Sequence, residues 1–251
     1  MARLQEAAGP AWRVTLHAEA GSTNALASVE PAAQHVVVAD HQQAGRGRLD
    51  RAWVTPPGAA LTFSAVCDPG VDTAWWPVVP LVAGYAVARA IGEVATLKWP
   101  NDVLVAGPSS GSGHRRKVCG ILVERLNTQP PLAVVGIGIN VDQTDAELPV
   151  PTATSLALAG RPVDRTELFG DVLRHLRESL DTFAASPAGF VDHYRARSAT
   201  LGERVRVDLP GDRSITGRVV DVDAHGGLVV DTDDGTLTLS AGDVVHLRPG
   251  E

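Results

Sequence analysis

The sequence predicts an α+β protein: a strand-rich first part around one buried helix, further helices, and a small β-barrel tail. Three observations carry this. Strand-like runs recur between Trp12 and Val141, a stretch apolar almost all round lies among them at residues 78–94, and after Leu201-Gly202 the texture changes to short alternating strands broken by Gly and Asp turns. At 251 residues the chain exceeds one average domain, which suits a large domain with a small appendage, and 44% hydrophobic content is ample for a core.

In order, Trp12-Arg13-Val14-Thr15-Leu16-His17 alternates as a strand does. Gly21-Ser22-Thr23-Asn24 precedes a helical stretch at residues 25–29; such a cluster is a helix N-cap, a set of polar ligand contacts, or both. Residues 36–40 and 60–66 read as strands, and 78–94 as a buried helix. Two short strands meet at the turn Pro100-Asn101-Asp102. Residues 106–116 form a flexible polar connector without the glycine spacing and Lys-Ser/Thr ending of a phosphate loop. Residues 117–124 and 132–141 are further strands, and Gly136 and Gly138 share one face of the second. Bare glycines there admit either tight packing, a bulge, or a flat ligand lying on the backbone. Residues 155–159 read as a short helix, 165–183 as an amphipathic one with Leu168, Phe169, Val172, Leu173, Leu176, Leu180 and Phe183 on one face, and 189–197 as another. Tail strands fall at 204–209, 215–222, 228–231, 236–239 and 244–247, and Trp75-Trp76 belongs either to an interface or to the core, with core the favoured reading.

A net charge of -7 argues against a general nucleic-acid binder, which should be basic. Cys67 and Cys119 are too few and too far apart for a disulfide framework or a zinc site, so a reducing compartment is expected. Residues 1–9 lack the features of a signal peptide, and no apolar run looks long enough to span a bilayer. A cytoplasmic protein without membrane attachment is the expectation.

The chemistry gathers in Gln42-Gln43-Ala44-Gly45-Arg46-Gly47-Arg48-Leu49-Asp50-Arg51-Ala52-Trp53. Two glycines let the backbone approach a ligand closely and three arginines offer planar forks of donors, so the guest of such a loop is an anion; otherwise it is a solvated surface loop. Among 22 Lys plus Arg, only Lys98 and Lys117 are lysine, which marks them as positions that want a compact point charge. Lys98, Asn101 and Asp102 are grouped between apolar segments that hold them rigidly.

Taken together, Gly21-Ser22-Thr23-Asn24, Gln42 through Arg48 with Trp53, Lys98-Trp99-Pro100-Asn101-Asp102, Lys117 with Gly120-Ile121-Leu122-Val123-Glu124, and Gly136-Ile137-Gly138-Ile139-Asn140 resemble the biotin protein ligase family in content and order. The resemblance implies a mixed sheet with helices, the class II synthetase-like catalytic domain, over residues 1–200 and an SH3-like β-barrel over 201–251. It implies that biotin reacts with ATP and Mg2+ to give biotinyl-5'-AMP, whose acyl group passes to a lysine of a biotin carboxyl carrier domain. The chain before Trp12 leaves no room for a winged helix-turn-helix, so no specific DNA binding is expected.

By the same resemblance Lys117, Arg48 and Asp102 are the catalytic candidates. Lys117 lies beside the biotin carboxylate and α-phosphate, Arg48 retains the intermediate, and Asp102 prepares the acceptor amine as orienter or base. Ser22, Thr23, Asn24, Gln42, Gly45, Arg46, Gly47, Arg48, Lys117 and Gly120 fall to the biotin side, with Gly136 and Gly138 as floor. Arg48, Arg51, Trp53, Lys98, Asn101, Lys117 and Asn140 fall to the ATP side, Trp53 covering the adenine. Two other readings stand beside this: a lipoate or octanoate ligase of related fold, and a non-catalytic anion-binding module. One departure is plain: Leu49-Asp50 replaces the family's arginine and glycine. Looser retention of the adenylate than in a Leu49→Arg, Asp50→Gly form follows from it.

Overall fold

The computed structural model describes residues 2–49, 51–107, 115–211 and 213–247. Its frame starts with two parallel strands, β1 (Arg13–Ala20) and β2 (His35–Gln42), joined by the helix α2 (Thr23–Val29); α1 (Ala2–Ala8) precedes them. A parallel pair needs such a crossover. Beyond the hairpin of β3 (Gly45–Arg46) and β4 (Ala52–Trp53) come β5 (Ala60–Cys67), β6 (Ala95–Lys98), β7 (Asp102–Ala106), β8 (Arg115–Leu126) and β9 (Leu132–Asn140), all antiparallel to their neighbours. The resulting seven-stranded mixed sheet runs β1-β2-β5-β9-β8-β7-β6, as expected.

Strand alternation sorts the residues of this sheet between two faces. Val36, Val38, Phe63, Ala65, Val135, Ile137 and Ile139 point into the main core against α3 (Val79–Ile91) and α4 (Arg165–Ala185), where Phe63 meets Phe169 edge to face at 5.2 Å. The first of those helices is apolar nearly all round, and eight of its thirteen residues are buried. The second carries the predicted stripe, and its start is capped by Asp164, which accepts from Thr166 N at 2.7 Å and Glu167 N at 3.1 Å. Gly170 lets α1 dock on it: a Cβ there would lie 2.6 Å from the Ala7 carbonyl oxygen. α5 (Pro187–Arg195) completes this layer. The other face holds α2 over the small cluster Ala27, Val37, Val66, Leu132 and Val134.

Four expectations need correcting. Residues 155–159 form hydrogen-bonded turns rather than a helix, because Leu156 N and Ala157 N bond to the carbonyls of Asn140 and Val141 and Ser155 Oγ donates to the Gln143 carbonyl. Trp75 and Trp76 are only partly buried; Trp75 stacks on His225 with centroids 4.4 Å apart, and the Arg125 guanidinium lies 5.5 Å over Trp76. The stretch Thr73–Ile91 is, by length and composition, apolar enough to cross a bilayer, though half of it is buried inside this fold. The polar connector falls mostly on residues 108–114, outside the described residues, and Arg115 and Arg116 already belong to β8.

The tail forms a second, smaller sheet. β10 (Arg204–Leu209), β11 (Arg213–Val222), β12 (Leu228–Thr232), β13 (Gly235–Leu239) and β14 (Asp243–His246) form an antiparallel sheet in the order β13-β12-β11-β10-β14. It makes the small β domain expected after Leu201; among the described residues its two edge strands do not pair with each other. Trp99, 2% exposed, ties it to the first sheet by donating Nε1–H to the Gly226 carbonyl at 2.8 Å.

Candidate active site

On the α2 face, strand register places Thr62 (β5), Gly138 (β9), Gly120 (β8) and Asp102 (β7) in one row, with Ser64, Gly136 and Leu122 in the next. Three glycines clear the middle of this face. The cleared space is not bare: the Asn24 carboxamide lies against Gly136, and the Trp53 indole lies across Gly138 and Gly120. A Cβ at Gly138 would sit 2.5 Å from Trp53 Cε2, and one at Gly120 2.9 Å from Trp53 Cζ3. Tight packing is thus the immediate use of these glycines, and Trp53 covers the floor itself.

At the α2 end a polar chain crosses the sheet. Ser22 is buried at the N-cap position but makes no side-chain cap bond. Gln42 Oε1 accepts from Thr23 N at 2.7 Å and Thr23 Oγ1 at 3.0 Å. Ser64 Oγ lies 2.7 Å from Thr23 Oγ1 and 2.6 Å from Asn24 Oδ1, its single proton serving one of them at a time. Asn24 Nδ2 donates to Glu124 Oε2 at 2.5 Å, and Arg46 Nη2 pairs with Glu124 Oε1 at 3.1 Å. Ser64 and Glu124 were not among the sequence candidates. Their signal was present: Thr62 and Ser64 are alternate polar residues in an otherwise apolar strand, and Glu124 ends the run after Lys117.

Lys117 and Asp102 are brought together. Their Nζ and Oδ1 atoms are 2.6 Å apart, close in distance but poorly aligned, so this carboxylate oxygen keeps acceptor capacity with no hydrogen bond of good geometry. A register shift between Val103 and Leu104 displaces Lys117 along β8, the kind of irregularity that re-aims a side chain. Its ammonium also lies 5.6 Å over the Trp53 ring. The Lys117 backbone is fixed by Thr152 O and Thr154 N, both at 2.8 Å. Asn140 supports that segment: Nδ2 donates to Thr154 O and Oδ1 accepts from Gln143, each at 3.0 Å. Asn140 thereby buttresses the segment that holds the Lys117 backbone.

Asn101 donates to the Ile121 carbonyl at 2.8 Å and faces Arg48 Nη1 at 3.4 Å, while Lys98 stands opposite Asp102 across β6 and β7. The arginine loop closes by Gly47 N–H to Arg51 O at 2.7 Å, and Gly45, paired with Trp53, has no room for a Cβ. Leu49, φ 54°, carries a left-handed conformation; Asp50 lies outside the described residues. Arg48 Nη1 donates to the Gly242 carbonyl at 3.2 Å, and Arg51 Nη2 meets Asp243 Oδ2 at 2.5 Å. Arg51 is therefore turned to the tail sheet. Burial lowers the pKa of Arg48 against the pull of Asp243 and Asp102, whereas the Asp243 hydrogen bond raises that of Arg51. At the same junction His246 is pushed down to about 4 by burial and by Lys98.

Residues 19–142 match the biotin/lipoate A/B protein ligase family, and residues 200–247 match the biotin protein ligase C terminal domain. The chain is 38% identical to a biotin–acetyl-CoA-carboxylase ligase of Mycobacterium tuberculosis, covering 96% of this chain and 92% of that one. A ligase of the same name from Paracoccus denitrificans is 30% identical over 83% of this chain and 88% of its own. Among solved structures, the biotin protein ligase of Aquifex aeolicus in complex with biotin and ATP superposes with a TM-score of 0.75 at 30% identity, covering 94% of this chain and 98% of that one. With the glycine row, the arginine loop and the Lys117–Asp102 pair in place, these matches establish that the chain belongs to the biotin protein ligase family.

Proposed function

We propose that this chain is an ATP-dependent biotin ligase that forms biotinyl-5'-AMP and passes the biotinyl group to a lysine of a carrier domain of a biotin-dependent carboxylase. The observation that carries the residue assignment is the Lys117–Asp102 pair, 2.6 Å apart beneath Trp53 and beside the arginine loop. A biotin carboxylate oxygen attacks the α-phosphorus, the new P–O bond replaces the bond to pyrophosphate, and two anions must be held together while this happens. Lys117, Arg46 and Arg48 supply the positive charge, so catalysis is largely positioning and charge neutralisation. The acceptor lysine then attacks the carbonyl carbon and AMP leaves with its bonding electrons. Asp102 takes or orients the amine proton, which its spare acceptor capacity suits.

The chain of Gln42, Thr23, Ser64 and Asn24 supports placing the polar part of biotin at the α2 end, with Ser22 beside it. Trp53, Lys98 and Asn101 serve the nucleotide. Magnesium enters with ATP, coordinated by the oxygens of its triphosphate. Residues 1–200 form the catalytic unit and 201–251 the tail domain. A cytoplasmic setting is supported by Cys67 and Cys119, both buried and unpaired. Incubation with ATP and radiolabelled biotin should yield biotinyl-AMP, and lipoate in its place should yield little; the reverse preference overturns the assignment.

A further inference from the structure

The arginine loop is tied at two points to consecutive residues of the tail sheet: Arg48 to the Gly242 carbonyl at 3.2 Å and Arg51 to the Asp243 carboxylate at 2.5 Å. Between those two arginines Leu49, 56% exposed, sits at φ 54°, a conformation that leucine adopts only under restraint. The two anchors thus flank a residue whose backbone is held in the left-handed region. Position 242 is itself fixed closely: a Cβ on Gly242 would lie 2.5 Å from Val207 Cγ1 on β10, so the tail sheet is a rigid base for the contact.

We propose that Gly242 and Asp243 form a latch by which the tail domain holds the arginine loop closed over the site, making Asp243 a positioning residue for the reaction. The charge arithmetic agrees. Burial works against ionisation of Asp243, yet the Arg51 hydrogen bond and the charges of Arg51, Lys98 and Arg48 outweigh it and hold its carboxyl below the usual range. Arg51 is thereby spent on Asp243 rather than on phosphate. Arg48, anchored by a neutral carbonyl and by Asn101, keeps its full charge for an anion. The tail domain then acts on catalysis without touching a substrate, by limiting how often the loop opens and lets a mixed anhydride escape or hydrolyse.

The catalytic meaning of the latch rests on the ligase reading, whereas the contact itself does not, and the experiment separates the two. Trypsin cleavage after Arg48 is followed by mass spectrometry on the unliganded full chain as wild type, Asp243→Asn and Asp243→Glu, with thermal melting as the check on folding. Asp243→Asn should be nicked about two- to fivefold faster, the range an exposed ion pair of this kind spans, and Asp243→Glu should return to near the wild-type rate. In the Arg51→Gln background Asp243→Asn should add nothing. With biotin and ATP present, Asp243→Asn should release biotinyl-AMP faster by a similar factor while its affinity for biotin alone stays within about twofold, a split that general loosening would not give. Unchanged nicking in Asp243→Asn, or additive effects of the two substitutions, overturns the latch. Absence of any adenylate from the wild type overturns the ligase reading instead, and the nicking rates still decide the latch.

Discussion

At the residue scale, Lys117 is one of two lysines in the chain and the only one paired with Asp102 among the described residues. Lys117→Ala should lose biotinyl-AMP formation by orders of magnitude at an unchanged melting temperature; near-normal turnover would remove Lys117 from the mechanism. Lys117→Arg should also be poor, since a fork cannot replace a point charge 2.6 Å from one carboxylate oxygen. Ser64→Ala leaves buried Thr23 and Asn24 one partner short. It should cost about 1–3 kcal/mol in chemical unfolding and weaken biotin binding in calorimetry. The two lysines and the Asp102 turn were legible in the sequence because composition singles them out. Ser64 and Glu124 carried a signal as polar residues in apolar runs, but their roles and that of Asp243 did not show, because their partners Thr23, Asn24 and Arg51 lie 41, 100 and 192 residues away and only the folded chain brings them together. Leu49-Asp50 was legible as a departure, but not that Leu49 is a positive-φ residue of the loop. Asparagine tolerates that conformation better, so Leu49→Asn should gain up to about 1 kcal/mol in the same unfolding measurement.

At the element scale, α2 and β5 show what pattern alone leaves open. Ser22 occupies the N-cap position the sequence signals, yet the hydroxyls and amides of that turn serve the sheet face rather than the helix end. Residues 155–159 have helical composition, but the carbonyls of residues 140 and 141 claim their backbone N–H groups first. β14 carries a titration that should be visible in solution. Burial and Lys98 push His246 to about 4, so below pH 6.5 the unfolded chain takes a proton that the native state refuses, and stability falls as pH drops from 6.5 toward 4. His35 and His175, also lowered mainly by burial, add to the same slope. Asp243 acts outside this window: its depressed carboxyl contributes stability above 3.8 that is lost only as pH falls through its lower native value. Melting temperatures of His246→Gln across pH 4.5–7 should therefore fall less steeply than those of the wild type. Parallel slopes would mean that His246 does not set the dependence.

At the scale of the whole molecule, the mixed sheet and its helical layer were readable because alternation and apolar periodicity survive in nearly every element. Closure of the tail was not readable, since five alternating segments specify strands without specifying whether the first and last edges meet. The tail sheet reaches the site through Trp99 and through the anchors of Arg48 and Arg51, so removing residues after Leu201 should expose that junction and impair adenylation or transfer while leaving the α2 contacts to biotin in place. Full activity of the truncated chain would show the tail to be dispensable. The division of labour between Lys117 and Asp102 is tested most directly by rapid quench with radiolabelled biotin, ATP and a carrier domain, following biotinyl-AMP and biotinylated carrier in the same reaction. Asp102→Asn should accumulate biotinyl-AMP and transfer it slowly, and Lys117→Ala should make almost none; equal loss of both steps in both variants would contradict the account.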